Sequence, residues 1–424
     1  MAALFTGSES LRVRGERVTF VLTLCSLPIT VVLLGWLLQH QVSWQEIALL
    51  LIGAMIYVAF ARGRLLGGGL RIHAGQFGAV HAVVDECARM MRMPTPHVFI
   101  RDDPFVPVVA IGIGDPYAIV ISAQFVEQFQ PDELRFLIGR ELGHIASGHT
   151  RYTSLLSSNG RENSVIAIAF GAWLRKIDYT ADRAGLLCCG SLDAAMRAIA
   201  VSAFGAVGRR VELGAFAAQL KELHAEPSLR MAEWSASTPY ATNRIAALHR
   251  FARDPLYLTW SHRFAENADA PPVQESLETV YASFWRRTGA FVVDVVVIQT
   301  LVPAARALGP KVTLNGSDLK KIVPGAPHTS ITFNDDALLW FAFGIYAIVL
   351  VALIGQTFGM MVLDLRVIRA NHDPRVGFRR AIGRYASLIA SLFAIVGWLS
   401  IFRRIQPYEK WSRTRLVSGS AAIR

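Results

Sequence analysis

The sequence predicts a mainly helical α+β soluble domain flanked by α-helical membrane segments. Long apolar runs gather at the two ends of the chain, while residues 62–285 are polar and mixed in pattern. Composition agrees with a mixture of spans and water-soluble structure: 53% of the 424 residues are apolar, only 18% are charged, and mean hydropathy is +0.37.

The first apolar run, Val18 to Leu38, carries no charge and no small-residue cleavage site, and it is long for a signal core. A short loop leads to a second run, Trp44 to Ala61, so residues 1–61 read as a transmembrane hairpin. Arg12, Arg14 and Arg17 precede it, and Arg62, Arg64 and Arg71 follow it. Basic residues outside the hairpin and none at its tip place both ends in the cytoplasm.

Residues 62–280 form the soluble domain, with a helix over Ala79–Met93 and strands over His97–Arg101, Val108–Gly112 and Ala118–Ser122. Pro131-Asp132-Glu133 starts a helix expected to run to about Thr150. Another helix covers roughly Arg161 to Leu187; its apolar Val165–Trp173 part is too short to span a bilayer and reads as buried core. Residues 281–424 form a second membrane domain with span patterns at Gly289–Ala305, Leu338–Ile354 and Ala381–Ile401, and an external loop over Gly309–Asp336. Three crossings would leave the tail outside, yet Arg403, Arg404, Lys410, Arg413 and Arg415 favour the cytoplasm. Either the last stretch re-enters or one span does not cross.

The net charge of +11 fits loop arginines facing an anionic leaflet, making the lipid bilayer the expected partner. A nucleic-acid surface would need a basic stripe interleaved with aromatics, which the sequence lacks. Four cysteines form no disulfide framework, and Cys188-Cys189 lacks redox spacing.

The chemistry-bearing stretch is GRELGHIASGH, Gly139 to His149. Helical geometry puts positions 140 and 144 on one face. A zinc peptidase fills them with two histidines flanking a glutamate that activates the metal-bound water. Here Glu141 and His144 are present, but Arg140 holds the first position. A guanidinium has no lone pair for a metal. At about 4 Å and an effective dielectric near 20 it repels Zn²⁺ by roughly 8 kcal/mol, against a structural zinc site worth about 10–16 kcal/mol. An ordinary zinc site is therefore not expected there. On a continuous helix His149, five residues past His144, turns to another face and is not expected beside it.

Gln130–His149, followed by IDYTADRAG at Ile177–Gly185, resembles the membrane zinc peptidases of the HtpX and CAAX-prenyl-protease type over about residues 75–250. The resemblance implies a zincin-like fold, zinc as cofactor and protein quality-control proteolysis in the inner or plasma membrane of a bacterium. It assigns Glu141 as general base, His144 as a metal ligand, position 178 as the glutamate ligand (here the shorter Asp178), and Asp182 as the acid orienting the first ligand. A late family histidine falls at Thr238, ahead of Arg244-Ile245. With these positions sharing one site, the Arg140 guanidinium is expected to stand in for the ion by bridging Asp178 and Asp182, four residues apart on one helix face. The alternative is that Arg140 points to solvent and Asp178 is a surface acid. With positions 140, 178 and 238 substituted, the expected function is a peptidase-like membrane protein without ordinary hydrolysis, acting on membrane or unfolded polypeptide segments. An active, divergent zinc endopeptidase is the alternative.

Trp285-Arg286-Arg287, Asp294, Gly355-Gln356-Thr357 and the Trp411–Arg415 tail resemble the RDD family of membrane domains over about residues 280–418, with Glu409 where aspartate is usual. The resemblance is compatible with a transport role. Asp294 inside a span needs a partner, expected to be Arg287, seven residues earlier, or Arg384.

Overall fold

The computed structural model describes residues 10–37, 44–102, 107–114, 116–156, 164–234, 236–273, 281–308, 335–371, 373–393 and 405–418. They are mainly helical with a small sheet. Two compact units emerge, one of Met1–Val42 with Tyr57–Ser276 and one of Ser43–Ile56 with Leu277–Arg424.

The two N-terminal apolar runs form α1 (Glu16–Leu37), in the first unit, and α2 (Trp44–Gly67), whose residues up to Ile56 fall in the second unit and the rest in the first. A four-stranded sheet follows, from β1 (Leu70–Ile72), β2 (His97–Arg101), β3 (Val108–Ile111) and β4 (Ala118–Ser122), in the order β1-β2-β4-β3. β2 and β4 run parallel, and β3 lies antiparallel to β4 at the edge, Ala110 opposite Ile119. β4 is buried at every position, as its unbroken apolar run AIVIS requires of an interior strand. The expected third strand stops one residue early because Gly112 turns to φ 141°. β1 escaped sequence reading because three residues cannot display an alternating pattern.

Helix α3 (Gly78–Met90) joins a core of Val84, Ile119, Phe136, Leu142, Ile199 and Ile245. A short α4 (Ala123–Gln128) leads into the motif helix α5 (Pro131–Ser147). Pro131 occupies its first turn, and Gln130 and Glu133 form a capping box, the Gln130 N–H donating to Glu133 Oε2 at 2.9 Å. The expected end near Thr150 is corrected: α5 stops at Ser147 because Gly148 adopts φ 81°, a left-handed cap, and α6 (His149–Leu156) starts a new direction.

α7 (Ser164–Cys189) packs tightly along α5. A Cβ on Gly143 would stand 2.6 Å from that of Ala184, and one on Gly139 2.6 Å from that of Cys188, so small residues set the approach. α8 (Leu192–Phe204), α9 (Leu213–Ala225), α10 (Pro227–Trp234), α11 (Ala241–Ala252) and α12 (Pro255–Ala268) complete this unit.

The second unit contains α13 (Phe284–Leu308), α14 (Asp335–Leu353), α15 (Phe358–Val362), β5 (Leu365–Arg369), α16 (Phe378–Phe393), α17 (Pro407–Trp411) and β6 (Thr414–Ser418). β5 and β6 pair antiparallel, Leu365 opposite Ser418. A Cβ on Gly359 would lie 2.0 Å from the Ala290 carbonyl oxygen, so only glycine lets α15 approach α13 this closely.

The span patterns read from sequence fall on helices α1, α2, α13, α14 and α16. Among the described residues no helix is long and apolar enough to cross a membrane. The expected loop at Gly309–Asp336 lies largely outside the described residues, as does the last span pattern beyond residue 393.

Candidate functional site

α5 presents Arg140 and His144, one turn apart, toward α7, which presents Asp178 and Asp182 at the same spacing. The Arg140 guanidinium spreads across three carboxylates. Its Nη2 donates to Asp178 Oδ1, its Nη1 to Glu141 Oε1 at 2.7 Å and its Nε to Asp182 Oδ1 at 3.2 Å. Asp182 also receives a fork from Arg244 on α11, Nε to Oδ2 at 2.8 Å and Nη2 to Oδ1 at 2.7 Å. The second oxygen of Glu141 accepts the Ala110 backbone N–H of β3 at 2.8 Å. Both Glu141 oxygens are thus engaged, one by a cation and one by the sheet edge.

The three acids are almost fully enclosed, with side-chain exposures of 6% for Glu141, 9% for Asp178 and 2% for Asp182. Three carboxylates face two guanidiniums, which leaves one negative charge over. Burial accordingly raises the Glu141 and Asp178 carboxyls above the ordinary range, although Arg140 pulls both the other way. Burial opposes the charge on Arg140, but Asp178, Glu141 and Asp182 outweigh it and raise its pKa; it stays cationic.

His144 lies behind this cluster, its Nε2 3.7 Å from Asp178 Oδ1. Its Nδ1 stands 3.2 Å from Nδ1 of His149, whose Nε2 is 2.8 Å from Glu16 Oε1. The expectation that His149 turns away is corrected, because the Gly148 break swings it back against His144. Arg12 Nη1 also approaches His149 Nε2, at 3.4 Å, but the closer contact to the accepting Glu16 carboxylate favours a hydrogen on Nε2, with Nδ1 of His149 accepting the N–H of His144 Nδ1. Burial pushes both imidazoles below their ordinary pKa, with Arg140 adding to the effect at His144 and the Glu16 contact resisting it at His149. Both rings stay neutral.

The N-terminal segment ahead of α1 closes this side. Leu11 is fully buried, Arg12 donates to Glu16 and to the Ser147 carbonyl, and Thr180 donates to Glu16 Oε2 at 2.5 Å. Val13 N–H reaches Thr180 Oγ1 at 3.1 Å. Sequence reading missed this strap, since nothing local to residues 11–16 announces partners 130 or more residues away. It also missed the fork from Arg244, which the Arg244-Ile245 pair marked without revealing its target.

The donor set does not fit zinc. Arg140 offers no lone pair, and it occupies the position between Asp178, Asp182 and Glu141 that an ion would need. Among the described residues no group of three or more His, Cys, Asp or Glu side chains is arranged to hold a metal ion. Thr238 is exposed in the bend before α11.

In the second unit, Asp294 accepts from the Tyr346 hydroxyl at 2.6 Å, the Thr357 hydroxyl at 2.6 Å and the Gly359 N–H at 2.7 Å. Arg287 and Arg384 both turn to Glu409, at 3.3 and 3.7 Å. The expected answer of an arginine to Asp294 is therefore corrected: three neutral donors satisfy the aspartate, and the arginines neutralise the fully buried Glu409, placed at the foot of β6 by the α17 capping box.

Residues 74–252 match Peptidase family M48, and residues 281–406 match the RDD family. Both sequence resemblances are borne out, and the first match covers Arg140, Asp178, Asp182 and Arg244. No solved structure gives a significant match to this chain.

Proposed function

We propose that this chain, which joins an M48 peptidase-family segment to an RDD-family segment, is a membrane-anchored peptidase-like protein that binds polypeptide segments without hydrolysing them. The observation that carries this reading is the Arg140 guanidinium shared among Asp178, Glu141 and Asp182. A fixed monovalent cation bridges the acids that a metal would have served and offsets part of their charge. It keeps the α5–α7 scaffold intact and supplies no Lewis acid or activated water. Glu141, held by Arg140 and by the Ala110 N–H, is committed to structure rather than to a water molecule.

Support for anchoring comes from α1, where Val18, Val21, Leu22, Ile29 and Val32 are 55–64% exposed along one helix. Apolar surface of that extent calls for lipid or a partner. In the second unit Trp340, Phe341 and Ile345 on α14 are likewise exposed. Lipid contact fits both resemblances and the basic flanks of the hairpin.

The test is capture without cleavage. Full-length protein in lipid nanodiscs is incubated with an unfolded, apolar reporter polypeptide, beside a Glu141→Gln variant. Both proteins are expected to retain the reporter equally and intact. Fragments produced by the parent protein and absent with the variant would establish hydrolysis and reject the proposal.

A further inference from the structure

A helix on a soluble surface turns its apolar stripe inward. α10 does the reverse. Its inner side is held by polar clamps: Glu233 Oε1 accepts the Tyr240 N–H and an Asn243 Nδ2 hydrogen, each at 2.9 Å, which fastens α10 to the start of α11. The Tyr240 hydroxyl donates to the Leu229 carbonyl at 3.2 Å. Arg175 on α7 donates from Nη1 to the carbonyls of Glu233, Trp234 and Ala236, at 3.1, 3.1 and 2.7 Å. Pro227, Met231 and Trp234, spaced i, i+4 and i+7, form one outward stripe, with Met231 61% and Trp234 68% exposed. A firmly seated helix thus presents its largest apolar side chains to the outside, which calls for an apolar partner.

The course of α1 says which partner. The chain entering α1 runs antiparallel to α7: Arg183 donates to the Leu11 carbonyl at 3.2 Å, Lys176 to the Gly15 carbonyl at 3.2 Å, and Phe20 packs 4.9 Å from Trp173. The bare flank of α1 begins with Val18, Val21 and Leu22, beside this same stretch of α7. α10 meets α7 there too, since a Cβ on Gly171 would stand 3.1 Å from the Ala236 carbonyl oxygen and Arg175 holds the Trp234 carbonyl. Helical spacing puts Gly171 and Arg175 on the face of α7 opposite Trp173 and Lys176. α1 and α10 therefore straddle α7 at one height, and both turn apolar side chains outward there. Two separate elements bare at one level fit a plane, and tryptophan is the residue favoured where lipid headgroups meet acyl chains.

Resting on the membrane-anchored reading above, we propose that the Met231–Trp234 stripe of α10 lies in the headgroup–acyl boundary of the bilayer, a second foot beside α1. Asp178 is five residues past Trp173, about 7.5 Å along α7. Feet on both sides of that helix hold the Arg140 cluster just above the lipid. A polypeptide segment leaving the bilayer would meet the site there without crossing open water.

Full-length protein carrying Cys25→Ser, Cys189→Ala and Met231→Cys is labelled at position 231 with an NBD fluorophore and placed in phosphatidylcholine nanodiscs, one chain per disc. Cys87 and Cys188 are buried and escape the label. A companion protein carries Val21→Cys in place of Met231→Cys and reports on α1. Lipids bearing a nitroxide near the top of the acyl chain are expected to quench the probe at 231 roughly two-fold or more, while aqueous iodide leaves its emission nearly unchanged. Quenching by iodide without quenching by lipid would put α10 in water, and a probe shielded from both would put protein over it; either result overturns the proposal. The probe at 21 separates two failures. Lipid quenching at 21 but not at 231 leaves α1 anchored and removes the foot, whereas its absence at both positions takes the anchored reading with it.

Discussion

Replacing Arg140 with methionine tests whether its charge stands in for an ion. Met preserves much of the side-chain volume and removes the cation. Asp182 keeps its two-bond fork from Arg244, and Glu141 keeps the Ala110 N–H. Asp178 loses the guanidinium that bonds it and is left beside His144 at 3.7 Å. Breaking one side of a buried pair costs about 3–5 kcal/mol, here concentrated on Asp178. Local opening of α5 and α7 should therefore become more frequent by roughly two to three and a half orders of magnitude. Hydrogen exchange on peptides covering 139–147 and 177–187, compared with the parent protein, reads that change. The deficit should depend on pH. Burial raises the folded Asp178 carboxyl above its unfolded value, and Arg140 is its largest opposing influence. A raised carboxyl contributes stability below the unfolded pKa of about 3.9 and loses it as pH rises through the folded pKa. Without Arg140 that window reaches further toward neutrality, so the variant should recover protection on acidification more than the parent does. Adding Asp178→Asn should restore most of the loss by removing the stranded charge. A variant within about 1 kcal/mol of the parent, with no added pH dependence, would refute the stand-in.

Other outcomes follow from the same geometry. Gly143→Val should drive its side chain into Ala184, costing at least about 1–3 kcal/mol and lowering the midpoint of thermal unfolding of the first unit. His144 and His149, both held neutral, should keep their tautomers in nitrogen-edited NMR as pH falls from 8 through about 6.5; the unfolded chain protonates there while the folded rings do not, so stability declines on further acidification. Asp294→Ala should strand the Gly359 N–H and cost about 1–3 kcal/mol for that group, seen as lost exchange protection in α15, while Asp294→Asn, which keeps an acceptor, should cost less.

Much of the first unit was legible because its signals are local. Pro131 with Asp132 and Glu133 marks the start of α5, the alternation at His97–Arg101 marks β2, and the short apolar run at Ala118–Ser122 marks β4. Arg140, Asp178 and Asp182 could be brought together through the family resemblance, which assigns all three positions to one metal site, plus the need of a buried acid for a cation. The end of α5 was also written in the sequence, since Gly148 is a natural left-handed cap; treating the helix as continuous concealed the His144–His149 contact. What could not be read were the long-range partners. Arg12 and Glu16 sit in what looked like a simple basic flank, and their contacts to Ser147 and His149 depend on how α1 meets α5 and α6. In the second unit, Glu409 read only as a departure in the tail. Its role in neutralising Arg287 and Arg384 requires the α17 turn, which folds the tail back beside α16.

The most direct measurement is the zinc content of the full-length protein purified without chelator, taken by inductively coupled plasma mass spectrometry alongside an Arg140→His variant. The parent protein should carry essentially no zinc, because the guanidinium bonded to Asp178 and Asp182 holds the ion's place. The variant, which restores a second imidazole one turn before His144, should gain zinc. Close to one zinc ion per chain in the parent protein would contradict the claim that Arg140 replaces the metal.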